Sequence, residues 1–348
     1  MKTFLIRLSS GLVVAALAIT AMLYNQYTFF VLMSIILLGS LNEYFNLTDA
    51  KRDNAKSFFQ GKWFVMLLSF IAFAEAFVLA SPPAQGVPDF NNYFLLFKDV
   101  LLGLRDPALT LTATVPSLFF ILFIVELFSK SEKPFENLGS KAIALLWILV
   151  PVILAVNIYF EKGGAFILAM FFIIWVYDSF CYITGSFIGK RKLFERISPK
   201  KTWEGMLGGI VVTLAFVFFV DKIPPLFNWV STTLITSIFL QKVSNFLPVI
   251  HLNFTFWDET VSRWSQLSKL EWMILAFVIM IAATFGDLIE SLLKRSLGIK
   301  DSGNIMPGHG GFLDRLDSFY LVMPFVAMTL WMFTQVKNLI LVFEYLSQ

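Results

Sequence analysis

The chain has very few of the side chains that build disulfides and soft-metal sites. Its 348 residues include one cysteine and two histidines. The single Cys181 excludes an intrachain disulfide and a cysteine-rich metal site. The two histidines, His251 and His309, argue against a histidine-built zinc site or a haem pair.

Charged residues are also scarce, at 15% of the chain against roughly a quarter in a typical globular protein. The formal net charge of +3 is too small to indicate a nucleic-acid partner. In contrast, 57% of the residues are hydrophobic, 40 are Phe, and the mean hydropathy is +0.75. This composition predicts an all-α, polytopic integral membrane protein, and not the two soluble domains that length alone would suggest.

Nine apolar runs approach the length of about 20 residues that a transmembrane helix needs. A tenth run at 231–250 is more polar, and we predict that it lies on or dips into the outer surface. The first run is too short ahead of Ala16-Leu17-Ala18 to be a cleaved signal, so we expect it to remain a span. The predicted spans are 10–24, 28–47, 63–80, 111–129, 142–160, 164–185, 205–220, 271–290 and 319–341.

The basic residues predict the orientation of these spans. With the N-terminus in the cytoplasm, most of the 27 basic residues fall in cytoplasmic segments, as the positive-inside rule requires. The two longest loops, 81–110 and 221–270, then lie outside. Because no targeting peptide is recognisable, we expect the plasma (inner) membrane of a prokaryote.

One cytoplasmic segment begins with an acid inside an apolar run. Asp178 would cost at least about 2.5–3.5 kcal/mol in the membrane unless it is paired, hydrated or bound to a cation. On a helix it shares a face with Tyr182 and Gly185. A polar packing contact or a lysine partner is the alternative, but functional use is the default for such an acid.

The same segment continues into a basic turn, Ser198-Pro199-Lys200-Lys201-Thr202-Trp203-Glu204-Gly205. Ser198 is predicted as the N-cap of the next helix, with Pro199 as its first residue. Lys200 and Lys201 would then stand beside a helix N-terminus, where free N–H groups attract phosphate. The alternative is a basic anchor that only orients the helix.

A second segment, residues 286–318, is denser in polar groups and is called the signature segment here. Asp287, Glu290, Ser291 and Lys294 follow a helical spacing that places them on one face. Glycines between 303 and 311 allow backbone N–H groups to approach an anion. Oxygen ligands next to phosphate-binding groups are typical of Mg²⁺. The segment therefore predicts metal-assisted phosphoryl chemistry or phosphate binding at the membrane surface.

His309 lies among these glycines and has three open roles. It could donate a hydrogen bond to phosphate, act as a general acid or base, or hold the loop. Phosphoryl-type transfers depend mostly on positioning and charge neutralisation. We therefore favour a phosphate contact.

The signature segment contains three runs of polar and glycine residues, Ser291-Leu292-Leu293-Lys294-Arg295, Lys300-Asp301-Ser302-Gly303 and Pro307-Gly308-His309-Gly310-Gly311-Phe312-Leu313-Asp314-Arg315-Leu316-Asp317. They match the pattern S-x-x-K-R, then K-D-x-G, then P-G-H-G-G-hydrophobic-x-D-R-hydrophobic-D. In this pattern the segment resembles that of the phosphatidate cytidylyltransferases, or CDP-diacylglycerol synthases. Upstream, Trp175-x-x-Asp178, Tyr182-x-x-Gly185, Gly189-Lys190 and the basic turn are also similar to the family.

The resemblance implies the transfer of CMP from CTP to phosphatidate, with release of pyrophosphate. It implies a Mg²⁺ ion held by Asp287 and Asp314, with support from Asp317 and Asp178, and a second cation such as K⁺. It implies catalytic roles for Asp287, Asp314, Asp317, Lys294, Arg295 and His309. It implies substrate binding by Ser198, Lys200, Lys201, Lys300, Arg315, Asp178, Gly310 and Gly311.

The expected organisation follows from the spans and the resemblance together. We predict about five transmembrane helices in residues 1–160 and a catalytic transmembrane region in residues 161–348, with the active site facing the cytoplasm. The expected partners are CTP, phosphatidate, membrane lipid and a second copy in a homodimer, without nucleic acid.

Three other functions remain open at this point. One is a CTP-dependent transfer to another membrane lipid phosphate, such as a polyprenyl phosphate. Another is a phosphate or ion transporter, although the duplicated halves with broken helices that often mark transporters are not visible. The third is a scaffold whose basic loops bind anionic lipid, which would have no need of the acids.

Overall fold

The described part of the chain is almost entirely helical. The computed structural model describes residues 2–49, 61–81, 107–129, 131–219, 267–303 and 310–346. Within these ranges the elements are α1 (Lys2–Tyr24), α2 (Gln26–Asp49), α3 (Lys62–Ala80), α4 (Pro107–Leu127), α5 (Pro134–Lys162), α6 (Gly164–Ile188), β1 (Lys192–Phe194), β2 (Ser198–Thr202), α7 (Trp203–Phe218), α8 (Lys269–Leu297) and α9 (Phe312–Leu346). A π-helical turn, Leu145–Leu149, interrupts α5.

Each predicted span overlaps one of these helices, which confirms an all-α polytopic membrane protein. Six helices are long and apolar enough to cross a membrane, namely α2, α3, α5, α6, α8 and α9. The apolar parts of α1, α4 and α7 are shorter. The count of nine spans and the cytoplasmic N-terminus stay predictions. The run at 231–250, and nearly all of the two predicted outer loops, lie outside the described residues.

The chain divides into two compact units, and each unit is made of three separate stretches of the sequence. The first contains residues 1–18, 30–161 and 285–327, and the second contains residues 19–29, 162–284 and 328–348. The signature segment belongs to the first unit, together with most of α2 and all of α3, α4 and nearly all of α5. The division of the chain at residue 160 that the sequence suggested stays a prediction.

Aromatic packing holds α2 against α3 in the first unit. The ring of Phe30 stacks on Phe73 with centroids 5.0 Å apart and meets Phe77 at 4.7 Å. Phe73 is fully buried. Large aromatic side chains bury much apolar area each and favour such offset or tilted pairs, which gives the phenylalanine-rich composition a structural use.

Further along α2, polar contacts fix the helix against two others. The hydroxyl of Ser40 lies 2.5 Å from that of Tyr320 on α9. The hydroxyl of Tyr44 donates to the carbonyl of Ser140 on α5, at 3.2 Å. Buried hydroxyls are costly without partners, so these bonds set the rotation of α2. Glu43 lies between Ser40 and Tyr44 in the sequence.

Candidate active site

Helices α8 and α9 approach each other closely where the signature segment begins. A side chain on Gly286 would bring its Cβ to 2.7 Å from the carbonyl oxygen of Asp317 and 2.9 Å from the Cα of Ser318. Both distances are shorter than any ordinary contact of a Cβ, so the approach requires glycine at this position. It brings the acidic face of α8 next to the first turns of α9.

Three carboxylates gather at this approach and are called the carboxylate cluster here. Asp287 and Glu290 on α8 and Asp317 on α9 offer oxygen atoms that all lie within 4.8 Å of one another. Glu290 is fully buried, whereas Asp287 and Asp317 are half-buried. Like charges this close repel strongly unless a cation compensates them. The cluster therefore has the composition of a site for a hard cation.

Glu290 is the most deeply buried acid of the cluster, and it forms an ion pair with Lys294. The Nζ of Lys294 lies 2.5 Å from Oε2 of Glu290. Apart from this ion pair, the described residues provide no hydrogen-bond donor to either carboxylate oxygen of Glu290. Buried polar atoms are nearly always paired. A carboxylate so placed fits the coordination of a metal ion, because its lone pairs are available inside the cluster.

Lys294 connects the cluster to Asp314. Its ammonium group donates to Oδ1 of Asp314 at 2.7 Å while it contacts Glu290. Its side chain is only 14% exposed. In this position the cation compensates two acids at once.

Asp314 is the most heavily bonded acid of the site. Its Oδ2 accepts hydrogen bonds from the backbone N–H of Ser302 at 2.8 Å, from the Ser302 hydroxyl at 2.8 Å, and from the Gly311 N–H at 3.0 Å. Gly310, at φ +83°, adopts the left-handed conformation, which glycine adopts at least cost. The Mg²⁺ pair expected from the resemblance, Asp287 and Asp314, stays a prediction. The structure groups Asp287 with Glu290 and Asp317 instead.

Glu43 is a site residue that the sequence reasoning missed. It is 4% exposed on α2, and its Oε2 accepts a hydrogen bond from the Phe312 N–H at 2.6 Å. Its Oε1 accepts one from the Ser302 hydroxyl. The available signal was an acid inside the apolar run 28–47, the same argument that singled out Asp178.

In the second unit, the basic turn forms a β-hairpin, which corrects the predicted helix start. Strands β1 and β2 pair antiparallel, with Lys192 opposite Thr202 and Phe194 opposite Ser198. The N-cap of α7 is Thr202, whose hydroxyl accepts from the Gly205 N–H at 3.1 Å. The prediction of Ser198 as the N-cap was wrong because strand pairing holds residues 198–202 extended.

Glu204 closes this hairpin onto α7. Its carboxylate accepts the backbone N–H of Lys190 at 3.0 Å and that of Arg191 at 3.1 Å. These bonds stabilise the ionised form, and the one from Lys190 contributes most to holding the pKa of Glu204 below its ordinary value. The chain before β1 is thereby tied to the first turn of α7.

The corrected cap can be tested by stability measurements in detergent. Thr202→Ala is expected to lower the free energy of unfolding by about 1 kcal/mol, because it removes the cap of α7. Thr202→Ser, which keeps the hydroxyl, and Ser198→Ala, at the cap predicted from sequence, should change it much less. A larger loss of stability in Ser198→Ala than in Thr202→Ala would restore the original assignment.

The remaining predicted site residues differ in what the structure says of them. Ser198 is half-buried on β2, and Lys201, also half-buried, follows the exposed Lys200. His309 lies outside the described residues. Exposed side chains among the predicted set are Asp178, Lys200, Arg295, Lys300 and Arg315.

Comparison with known proteins agrees on one family. Residues 5–333 match the profile of the Cytidylyltransferase family. Phosphatidate cytidylyltransferase of Bacillus subtilis (strain 168) is 33% identical over 232 residues, which cover 67% of this chain and 71% of the relative. The Thermotoga maritima protein of the same name is 31% identical over 211 residues, covering 60% and 66%. That of Staphylococcus aureus (strain COL) is 36% identical over 168 residues, covering 47% and 48%.

Proposed function

The chain belongs to the Cytidylyltransferase family, and from this membership we propose that it transfers CMP from CTP to phosphatidate, giving CDP-diacylglycerol and pyrophosphate. The relatives reported above carry this activity in their names and match over part of their length, 71% for the one from Bacillus subtilis. The residues of the signature segment should therefore suit this transfer reaction.

The bonds that change involve two anions. An oxygen of the phosphatidate phosphate attacks the α-phosphorus of CTP, and a new P–O bond forms. The bond from the α-phosphorus to the oxygen that bridges to the β-phosphate breaks, and pyrophosphate leaves with its electron pair. Because the attacking group is already an oxyanion, no base has to remove a proton. Positioning and charge compensation are then the main demands on the protein.

The observation that carries the proposal is the carboxylate cluster, in which three acids meet and Glu290 is fully buried. Its oxygen ligands and its burial fit a Mg²⁺ ion held by Asp287, Glu290 and Asp317. When bound, Mg²⁺ would compensate phosphate charge and polarise the phosphate oxygens. Asp287 also belongs to the pair with Asp314 that the resemblance implies. We assign Asp314 instead to holding Lys294 and the backbone at Ser302 and Gly311.

Basic side chains around the cluster would bind the anionic substrates. We assign the triphosphate of CTP to Arg295, Lys300 and Arg315, which are exposed, with Lys294 nearer the reacting phosphate. Flexible cations of this kind suit phosphate, and arginine adds a bidentate geometry. The Gly311 N–H already donates to Asp314, so a phosphate would have to compete for it. Ser198, Lys200 and Lys201 are proposed for the lipid phosphate or CTP, and Gly310 and His309 for phosphate contacts. Asp178 stays a predicted substrate-binding residue.

The position of the site at the ends of apolar helices suits a substrate of mixed character. An acyl chain can remain among lipids while its phosphate meets a nucleotide dissolved in water. We propose that this end faces the cytoplasm, where the positive-inside rule places the basic segments. A second cation such as K⁺, bound lipid and a homodimer are part of the same proposal.

The activity is tested with purified protein in detergent, phosphatidate, Mg²⁺ and CTP labelled at its α-phosphorus. Label should enter the lipid phase in equal amount with released pyrophosphate, and chelation of Mg²⁺ should stop both. A parallel reaction contains a polyprenyl phosphate in place of phosphatidate. Label that enters only this lipid would identify it as the acceptor. Folded protein that labels no lipid phosphate at all would refute the proposed function.

A further inference from the structure

One side chain from the N-terminal part of the chain joins two segments near its C-terminal end. Glu43 accepts a hydrogen bond from Ser302, 259 residues away, and another from Phe312, 269 residues away. Residues 304–309 lie between these two partners in the sequence. Glu43 therefore connects the chain on both sides of this stretch, and it does so from a separate helix.

The glycines next to these partners fit the carboxylate of Glu43. A Cβ on Gly311 would overlap the carboxylate oxygens, and a Cβ on Gly303 would lie 3.1 Å from the carboxylate carbon. The two positions leave room for Glu43 because they lack side chains. The glycine pattern of the signature segment is thus explained in part by a residue outside it.

Asp314 contacts the same two segments from the other side. It accepts from the backbone N–H of Ser302 and from that of Gly311, and the Ser302 hydroxyl lies in hydrogen-bond reach of both carboxylates. Lys294 then bonds to the second oxygen of Asp314. A continuous chain of contacts runs from Glu43 through Ser302 and Asp314 to Lys294.

We propose that Glu43 is a positioning residue for the cytidylyl transfer. By holding Ser302 and Phe312 together it fixes the orientation of Asp314, and through Asp314 the position of Lys294 beside the carboxylate cluster. Glu43 acts through these residues and not by touching substrate. The inference rests on the proposed function, because its main measured consequence is a change in the kinetics of that reaction.

This role depends on the length and hydrogen bonding of the side chain and not on its charge. A glutamine at position 43 keeps both contacts. Its carbonyl can accept from the Phe312 N–H, and its amide can donate to the Ser302 oxygen. The Ser302 hydroxyl then keeps its own proton for Asp314. Alanine keeps neither contact. The Phe312 N–H then loses its acceptor, and the Ser302 hydroxyl keeps only Asp314.

The kinetic test compares Glu43→Gln and Glu43→Ala with the unmodified protein. Misplaced groups can cost on the order of 100-fold in rate, so we expect Glu43→Ala to lower kcat/KM for CTP by about tenfold to 100-fold, with a raised KM for CTP. Glu43→Gln should stay within about threefold of the unmodified protein, because its contacts are intact. Glu136→Gln is the control, since Glu136 is an exposed acid of the same unit and its replacement breaks no buried pair, and its KM for CTP should not change.

A second measurement is independent of turnover. Hydrogen–deuterium exchange should become faster in Glu43→Ala at the peptides that contain Ser302 and Phe312, but not in Glu43→Gln or Glu136→Gln. Unmodified protein without activity would refute the proposed function while this exchange result could still support the contacts of Glu43. A Glu43→Gln variant as impaired as Glu43→Ala would overturn the inference, since charge and not position would then be what matters. Unchanged kinetics in a folded Glu43→Ala would overturn it as well.

Discussion

Replacing Asp287 by asparagine is expected to lower the rate of CDP-diacylglycerol formation by about 100-fold or more. A metal ion contributes several kcal/mol to the stabilisation of charge in a transition state, and each 1.4 kcal/mol corresponds to about tenfold in rate. Asp287 belongs to the carboxylate cluster with Glu290 and Asp317. Its loss should weaken Mg²⁺ binding without unfolding the protein, because asparagine has nearly the same shape.

The measurement is the dependence of activity on Mg²⁺ concentration in two further variants. Asp317→Asn should raise the Mg²⁺ concentration needed for half-maximal activity, because Asp317 is assigned as a ligand. Asp314→Asn should lower kcat while the Mg²⁺ requirement stays close to normal, because Asp314 bonds to Lys294 and to the backbone at Ser302. Gel filtration and thermal unfolding show whether each variant is folded.

The opposite pattern would replace the cluster with the pair expected from the family resemblance. If Asp314→Asn raises the Mg²⁺ requirement and Asp317→Asn leaves it unchanged, then Asp287 and Asp314 hold the ion. A folded Asp287→Asn variant with normal activity would exclude both assignments. Asp287 is therefore the residue on which every version of the metal site depends.

The charged residues on one face of α8 show how far the sequence could predict the site. The spacing of Asp287, Glu290 and Lys294 predicted one face of a helix, and all three lie on α8. Helical periodicity is a local property, so it can be read from neighbouring residues. For the same reason each of the nine predicted apolar runs overlaps a helix of the structure.

Contacts between segments that are far apart in the sequence could not be predicted in this way. Nothing near Glu43 in the sequence points to Ser302 or Phe312, since the contact depends on how α2 packs against the start of α9. Likewise, the helical spacing of Lys294 could not reveal that its ammonium group also bonds to Asp314, 20 residues further on. Acids in apolar runs indicate that a partner exists, but only the packing identifies which residue it is.

The predicted start of α7 was wrong for a different reason. Both Ser198 and Thr202 have the side chain of a good N-cap, and local preference alone does not separate them. The pairing of β1 with β2 decides between them, because it keeps residues 198–202 extended up to Thr202. A short hairpin of basic residues has little hydrophobic alternation, so the usual signal for strands was absent.

A buried ion pair between α4 and α5 leads to the second large expected effect, this time on stability. The Nζ of Lys141 lies 2.8 Å from Oε2 of Glu126, and the two side chains are only 8% and 5% exposed. Lys141→Met should lower the free energy of unfolding by about 3–5 kcal/mol, because it leaves a buried carboxylate without its cation. The midpoint of thermal unfolding in detergent is the measurement.

The double variant Glu126→Met with Lys141→Met distinguishes the cost of an unpaired buried charge from the cost of lost side-chain packing. Replacing both partners of a buried pair by apolar residues is often nearly neutral, so the double variant should regain most of the stability lost in Lys141→Met. The exposed pair of Lys133, just before α5, with Glu136 in its first turn is the matched control, because these side chains are 68% and 59% exposed. Lys133→Met should cost at most about 1 kcal/mol. If the double variant is no more stable than Lys141→Met, the loss comes from the packing of the lysine stem and not from an unpaired charge.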